Sequence, residues 1–306
     1  MRWEQLQPGR HAVDGGELFA RVSPLLPGRP TLVLLHGFPQ THRCWQRVVE
    51  QLGDRFNLVL PDLRGYGDSL QPPGASDHRN YSKRTMGADI VALADALGVS
   101  GFLLAGHDRG GRVAHRLALD HPDRVLRMAL LDIAPTLDMY ERTDMEFARA
   151  YEHWFNLIQP PPLPERMIAG CARDYLHAKL GGWGAGGLEH IDADTLTDYQ
   201  RCFERPPATP EGLPPTIHAM CEDYRASAGI DLQHDRESRA SGQRIDCDLL
   251  VLWGARGVVD RFFDVPALWR AQCSKRLITQ RLDAGHYLPE ERPRETAEAL
   301  VAFFDV

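Results

Sequence analysis

Gly106-His107-Asp108-Arg109-Gly110-Gly111-Arg112 follows an apolar run, Gly101-Phe102-Leu103-Leu104-Ala105, and precedes a stretch from Val113 to His121 that ends before Pro122. The run before it has the character of a buried parallel strand. The stretch after it has the character of a helix that stops before its proline. A strand that turns into a helix through Gly-x-x-x-Gly makes a sharp elbow, with one side chain exposed at its apex. Glycine is needed there because the two flanking elements come too close for side chains. The apex is usually a serine. In this chain it is Asp108.

The swap changes which bond can be broken. A serine attacking saturated carbon would form an ether and stop after one turnover. A carboxylate displacing a leaving group from saturated carbon forms an alkyl ester, whose acyl carbon belongs to the protein and stays open to water. Asp108 therefore points to cleavage of a C–halogen or epoxide C–O bond, and away from esterase or peptidase chemistry. An Asp at a helix start also commonly caps the helix, so the residues around it must decide.

The rest of the chain suits one enzyme core with an insertion. Its 306 residues are 43% hydrophobic, enough for a sizeable buried core. The net charge of −7 and a pI near 6.0 leave no nucleic-acid footprint. Met1-Arg2-Trp3-Glu4-Gln5 lacks the apolar run of a signal peptide, and no stretch approaches a membrane span. Six cysteines, at 44, 171, 202, 221, 247 and 273, are scattered without a Cys-x-x-Cys pair. Reduced thiols in a cytoplasmic enzyme are expected, with neither metal nor cofactor.

Taken in order, Glu17 to Val22 alternates as an early antiparallel strand, and Thr31 to Leu35 is a buried strand leading into His36-Gly37-Phe38-Pro39. A helix is expected over Thr41 to Leu52 and a strand over Asn57 to Leu60. The loop Pro61-Asp62-Leu63-Arg64-Gly65-Tyr66-Gly67-Asp68-Ser69 follows, with its charges pairing locally. Tyr81 to Leu97 is helical, and Arg124 to Asp132 is the strand after the elbow helix. From 135 to 225 aromatics, prolines and glycines replace the alternation of strand and helix, which predicts a helical cap; 1–134 and 226–306 form the core. Core character returns with a strand at Asp248 to Gly254, a helix near Pro266 to Gln272, a strand at Lys275 to Thr279 and a last helix at 292–304. Such alternation predicts an α/β fold with a mostly parallel sheet covered on both faces.

Position then selects partners for Asp108. His286 lies in the glycine-bearing loop after the last strand, where it can take a proton from water. An acid is needed to orient its ring. Asp132, after the strand that ends at Leu131, is the choice. Gly257 stands where an acid would otherwise be expected after Trp253, and Asp260 is the fallback. The backbone N–H groups of Phe38 and Arg109 are the candidate oxyanion donors.

With these residues in place, the chain resembles the fluoroacetate (haloacetate) dehalogenases of the α/β-hydrolase superfamily. The resemblance rests on His36-Gly37-Phe38-Pro39-Gln40-Thr41-His42, the elbow, Leu131-Asp132-Ile133-Ala134-Pro135-Thr136, His153-Trp154-Phe155, Cys221-Glu222-Asp223-Tyr224-Arg225 and Gly285-His286-Tyr287-Leu288-Pro289. It covers nearly the whole chain. It implies an α/β-hydrolase core with an inserted helical cap, a small anionic organohalide as substrate, and a homodimer. It also implies that Arg109 and Arg112 hold the substrate carboxylate, whose two oxygens match a guanidinium fork. His153, Trp154 and Tyr224 would receive the departing halide with an N–H, an indole N–H and an O–H. Lys179 and Trp183 would line the approach. An epoxide hydrolase would keep Asp108, Asp132 and His286 but want cap phenols rather than the arginine pair. A non-enzymatic ligand sensor on this scaffold would be expected to lack one of the three, and none is missing.

Overall fold

The computed structural model describes residues 2–209 and 212–305. Eight strands form one sheet: β1 Gln7–Val13, β2 Gly16–Val22, β3 Thr31–Leu35, β4 Asn57–Pro61, β5 Phe102–His107, β6 Val125–Leu131, β7 Asp248–Gly254 and β8 Leu277–Leu282. Their order across the sheet is β1-β2-β4-β3-β5-β6-β7-β8, antiparallel at β1–β2 and β2–β4 and parallel from β4 onward. Every residue of β3, β4 and β5 is buried, as expected for parallel strands with helices on both faces. The α/β-hydrolase fold expected from the elbow is the fold observed.

Strand register decides where chemistry can gather. His107 of β5 pairs with Leu131 of β6, and Leu131 with Leu252 of β7. Asp108 and Asp132 therefore leave the sheet side by side at the C-terminal ends of neighbouring strands. Asp108 N–H donates to the Leu131 carbonyl and Asp132 N–H to the Leu252 carbonyl. β3 lies between β4 and β5, so the chain order reverses beside the elbow, and ligand crevices open at such reversals.

Between β6 and β7 the described residues hold helices and no strand. These include Met145–Ala150, Glu152–Asn156, Ala172–Leu180, Ala193–Phe203 and Pro215–Ala228. The last of these runs through residue 225. One buried apolar cluster is continuous from the sheet into this helical region and includes Trp154, Tyr199 and Tyr224.

Four expectations shift. β1, unanticipated, forms a hairpin with β2 through a two-residue Asp14-Gly15 loop, Gly15 having φ +79°. The helix expected over Thr41 to Leu52 divides into a 3-10 turn, His42–Trp45, and a helix, Gln46–Leu52. The last strand lies at Leu277–Leu282, later than expected, because as an edge strand it exposes Thr279, Gln280 and Arg281 and carries little apolar signal. The charges of the 61–69 loop reach well beyond it. Arg64 forks onto Asp89, and Asp68 takes Arg201 and Arg205 from the helical insertion.

Candidate active site

Asp108 stands at the end of β5 with φ 44° and ψ −111°, a conformation that a side chain rarely adopts. Close packing around the elbow holds it there. A Cβ on Gly106 would lie 2.4 Å from the Gly110 carbonyl oxygen, and one on Gly110 would lie 2.5 Å from that of His36. The Asp108 side chain makes no cap hydrogen bond to its helix, Arg109–Asp120. Instead its Oδ1 accepts the Phe38 N–H at 3.0 Å. The Arg109 N–H, at the first helical position, has no partner in the helix ladder. Of the two N–H groups expected as oxyanion donors, that of Phe38 thus meets the carboxylate, and that of Arg109 begins the helix that follows it.

His286 Nδ1–H donates to Asp132 Oδ2 at 2.6 Å, and the Gly254 N–H donates to Asp132 Oδ1 at 2.9 Å. The other ring nitrogen, Nε2, lies 4.0 Å from Asp108 Oδ2. The structure thus brings Asp108, His286 and Asp132 together. Asp260 lies elsewhere and binds the Trp253 indole and Arg281. Gly257 supplies no acid, but a Cβ there would sit 3.4 Å from both Asp132 oxygens. The Asp132 carboxylate therefore occupies the space beside it.

Charge follows from this packing. Burial opposes ionisation of Asp108, but His286, Arg112, His107 and Arg109 outweigh it and bring the carboxyl down to about 2. Burial likewise opposes the charged form of His286. The hydrogen bond and charge of Asp132 reverse that and raise its pKa above the ordinary histidine value.

The two arginines differ. Arg109 is engaged by Asp223, with Nε to Oδ2 at 2.8 Å and Nη2 to Oδ1 at 2.7 Å, and it lies over the Tyr224 ring at 4.1 Å. Two of the three nitrogens of Arg109, expected to help hold a substrate carboxylate, are therefore already engaged. Arg112 is buried, and among the described residues no carboxylate lies within 4.0 Å of it. Its Nη1 donates to the Ala134 carbonyl and Thr136 Oγ1, its Nη2 touches Met139 Sδ, and its Nε has no partner. Burial lowers its pKa, and Asp108 is the largest opposing influence.

The cap residues gather on the same spot. The Phe38 ring, whose N–H binds Asp108, stacks on His153 at 5.6 Å and meets Tyr224 edge-on at 5.3 Å. Arg112 lies over the Trp154 ring at 4.7 Å. His153 Nδ1, Trp154 Nε1 and the Tyr224 hydroxyl are all buried without a hydrogen-bond partner among the described residues. Burial holds His153 neutral, with a pKa of about 3. Trp183 packs against His286 at 5.3 Å and His153 at 4.6 Å, and Lys179 lies over it, paired with Glu152.

Sequence reasoning missed several residues. Asp223, Lys83, Tyr66 and Ser227 form the cage around Arg109. Behind His286, its carbonyl accepts from His107 Nε2 at 2.8 Å, while Gln40 lies between His107 and buried Glu290, which also takes the Tyr199 hydroxyl. Asp223 and Gln40 fall in stretches already singled out, Cys221 to Arg225 and His36 to His42, yet nothing local reveals partners many tens of residues away.

A family model described as the alpha/beta hydrolase fold matches residues 30–293, and the chain belongs to that family of enzymes. Within it, the chain is 41% identical over 295 residues to a fluoroacetate dehalogenase of Burkholderia sp, covering 96% of this chain and 93% of that one. It is 28% identical to a soluble epoxide hydrolase of Corynebacterium sp. (strain C12), covering 89% of each. A solved protein from Nostoc sp PCC 7120, described as an α/β hydrolase, superposes with a TM-score of 0.92 at 44% identity, covering 98% of both chains. The enzyme is a hydrolase of the α/β fold, and no described helix is long and apolar enough to cross a membrane.

Proposed function

We propose that this hydrolase converts haloacetates to glycolate and halide. One juxtaposition carries the reading: the buried Arg112, without a counter-ion, stands beside three buried donors without acceptors. A buried charge left alone costs several kcal/mol, and each orphaned donor about 1–3 kcal/mol. A carboxylate for the guanidinium and a halogen for the donors relieve both at once. Resemblance to a fluoroacetate dehalogenase over nearly the full chain supports the same substrate class.

In this reading an Asp108 oxygen attacks the methylene carbon from the side opposite the halogen. The carbon–oxygen bond forms, the carbon–halogen bond breaks, and the halide leaves toward His153, Trp154 and Tyr224. His286 Nε2 then takes a proton from water, and the hydroxide adds to the Asp108 acyl carbon. The Phe38 and Arg109 N–H groups hold the resulting oxyanion. Asp132 holds the ring by Nδ1 and stabilises its charged form. Collapse expels the glycolate alkoxide, which takes the proton back from His286; the Asp108 carboxyl gives up its remaining proton to solvent and returns as a carboxylate that retains one oxygen from water. No cofactor enters this balance.

Epoxide hydrolysis is the second reading, favoured by the unpartnered Tyr224 hydroxyl and the epoxide hydrolase relative. It gives Arg112 nothing to do. The test sets halide release from fluoroacetate and chloroacetate beside diol formation from styrene oxide. Diol without halide would reject the haloacetate reading.

A further inference from the structure

Asp223 grips Arg109 from the cap side. It is fully buried on helix Pro215–Ala228, next in sequence to Tyr224. Besides the two side-chain contacts to the fork, its backbone carbonyl accepts from Arg109 Nη2 at 3.1 Å, and Ser227 Oγ accepts from the same nitrogen at 2.9 Å. On its far side the carboxylate takes the Tyr66 hydroxyl at 2.6 Å and the Lys83 ammonium. Lys83 in turn stands 3.6 Å from Asp231.

Two consequences follow. The fork is held at Nε and Nη2 and stacked on Tyr224, so it cannot swing, and Nη1 alone has no hydrogen bond to the described residues. The charges also cancel. Arg109 and Lys83 meet Asp223 and Asp231, and the sum stays zero even if Lys83 and Asp231 share a proton. Arg112 is then the guanidinium beside Asp108 whose charge no described residue offsets at contact distance.

We propose that Asp223 is a positioning residue for the haloacetate reaction. It locks the Arg109 fork, fixes the adjacent Tyr224 ring on which that fork stacks, and cancels the charge of Arg109 so that Arg112 carries the net charge meeting the substrate carboxylate. The inference rests on the haloacetate reading.

The test is a cycle of wild type, Asp223→Asn, Arg109→Leu and the double variant. Chloroacetate kinetics and the affinity for acetate, followed by NMR, are measured on each. Asparagine keeps the volume but can neither accept from both nitrogens nor cancel the charge. Asp223→Asn is expected to lower kcat by about tenfold or more while acetate binds at least about twofold tighter, because the anion meets two uncompensated guanidiniums. In the Arg109→Leu background the same change is expected to leave kcat within about twofold, while acetate still tightens, because one negative charge is removed in either background. Equal losses of kcat in both backgrounds, or acetate affinity unchanged or weakened by Asp223→Asn, would overturn the proposal. If Asp223→Asn does not fold, Ser227→Ala loosens the same fork. A fall in kcat of about threefold with KM held supports positioning, and no change overturns it. A wild-type enzyme that releases no halide defeats the haloacetate reading on that ground alone, and the acetate affinities still decide whether Asp223 cancels a charge beside the anion site.

Discussion

His286 gives Nδ1–H to Asp132 at 2.6 Å, while its Nε2 stands 4.0 Å from Asp108, beyond direct hydrogen bonding. One nitrogen is fixed and the other is open. In the proposed reaction this divides the labour: the first displacement needs Asp108 without proton transfer, and the second step needs Nε2.

Changing His286 to Asn should therefore leave displacement intact and stop hydrolysis. Chloroacetate is expected to give a burst of about one halide per active site and then silence. Peptide mass spectra should show Asp108 esterified by a glycolyl group. Sustained turnover near the wild-type rate would remove His286 from the role of base.

The acid limb of kcat carries a sign that the packing dictates. Burial alone would push His286 below 6.5, but Asp132 raises it above that value. The base must be neutral, so kcat should climb with pH through a midpoint above 6.5. Asp132→Asn should move the midpoint down while also lowering kcat. For stability the same shift works the other way. It contributes fully below 6.5 and is lost as pH rises through the folded-state pKa. A limb centred below 6.5 in the wild type, or one unmoved in the variant, would contradict the assignment.

Much of this site can be read along the chain, because α/β folds place chemistry just after strand ends. Asp108 and Asp132 each directly follow a largely apolar strand, and His286 lies in a glycine-bearing loop after the last strand, so position selects them without coordinates. The Arg109 cage cannot be read that way. Asp223 lies 114 residues from Arg109 and 140 from Lys83, and its carboxylate looks like any helix-surface acid until the cap docks. β1 escapes notice for a local reason. Gln7-Pro8-Gly9-Arg10-His11-Ala12-Val13 neither alternates cleanly nor buries any residue fully, since it is an edge strand.

Glu290 offers a test of the support behind His286. Burial raises its carboxyl to about 8, against the hydrogen bonds from Tyr199 and Gln40 and with help from Glu291 and Asp192. A carboxyl with a raised folded-state pKa stabilises fully below its unfolded value of 4.5 and loses that contribution as pH rises toward about 8. Glu290→Gln should therefore flatten the decline in stability between those limits. Urea midpoints at the two ends of the window measure it, and an unchanged slope would place the titration on another group.

Arg112 tests the substrate charge. Arg112→Leu should cut kcat/KM for chloroacetate by about 10²-fold or more, in line with about 3–5 kcal/mol for stranding one member of a buried pair. Chloroacetamide carries no charge and should lose far less. Equal losses on acid and amide would make Arg112 a packing residue, held by Ala134, Thr136 and Met139.

Trp154 separates a pocket built for fluoride from one that accepts any halide. Its indole N–H is buried without an acceptor, and its ring packs under Arg112 and against Tyr140 at 4.8 Å. Trp154→Phe keeps a ring for those contacts and deletes the donor. Fluoride is the poorest leaving group of the halides, because its bond to carbon is strongest. Its departure therefore depends most on donors already in place where charge develops. Losing one preorganised donor typically costs about 2.7–4 kcal/mol, roughly 10²–10³ in kcat. Chloride leaves more readily and, being larger and more diffuse, gains less from each donor. Trp154→Phe should thus depress fluoroacetate turnover severely and chloroacetate turnover much less. The measurement is the ratio of the two kcat/KM values in variant and wild type. An unchanged ratio would reduce Trp154 to packing and leave the halide without its indole donor.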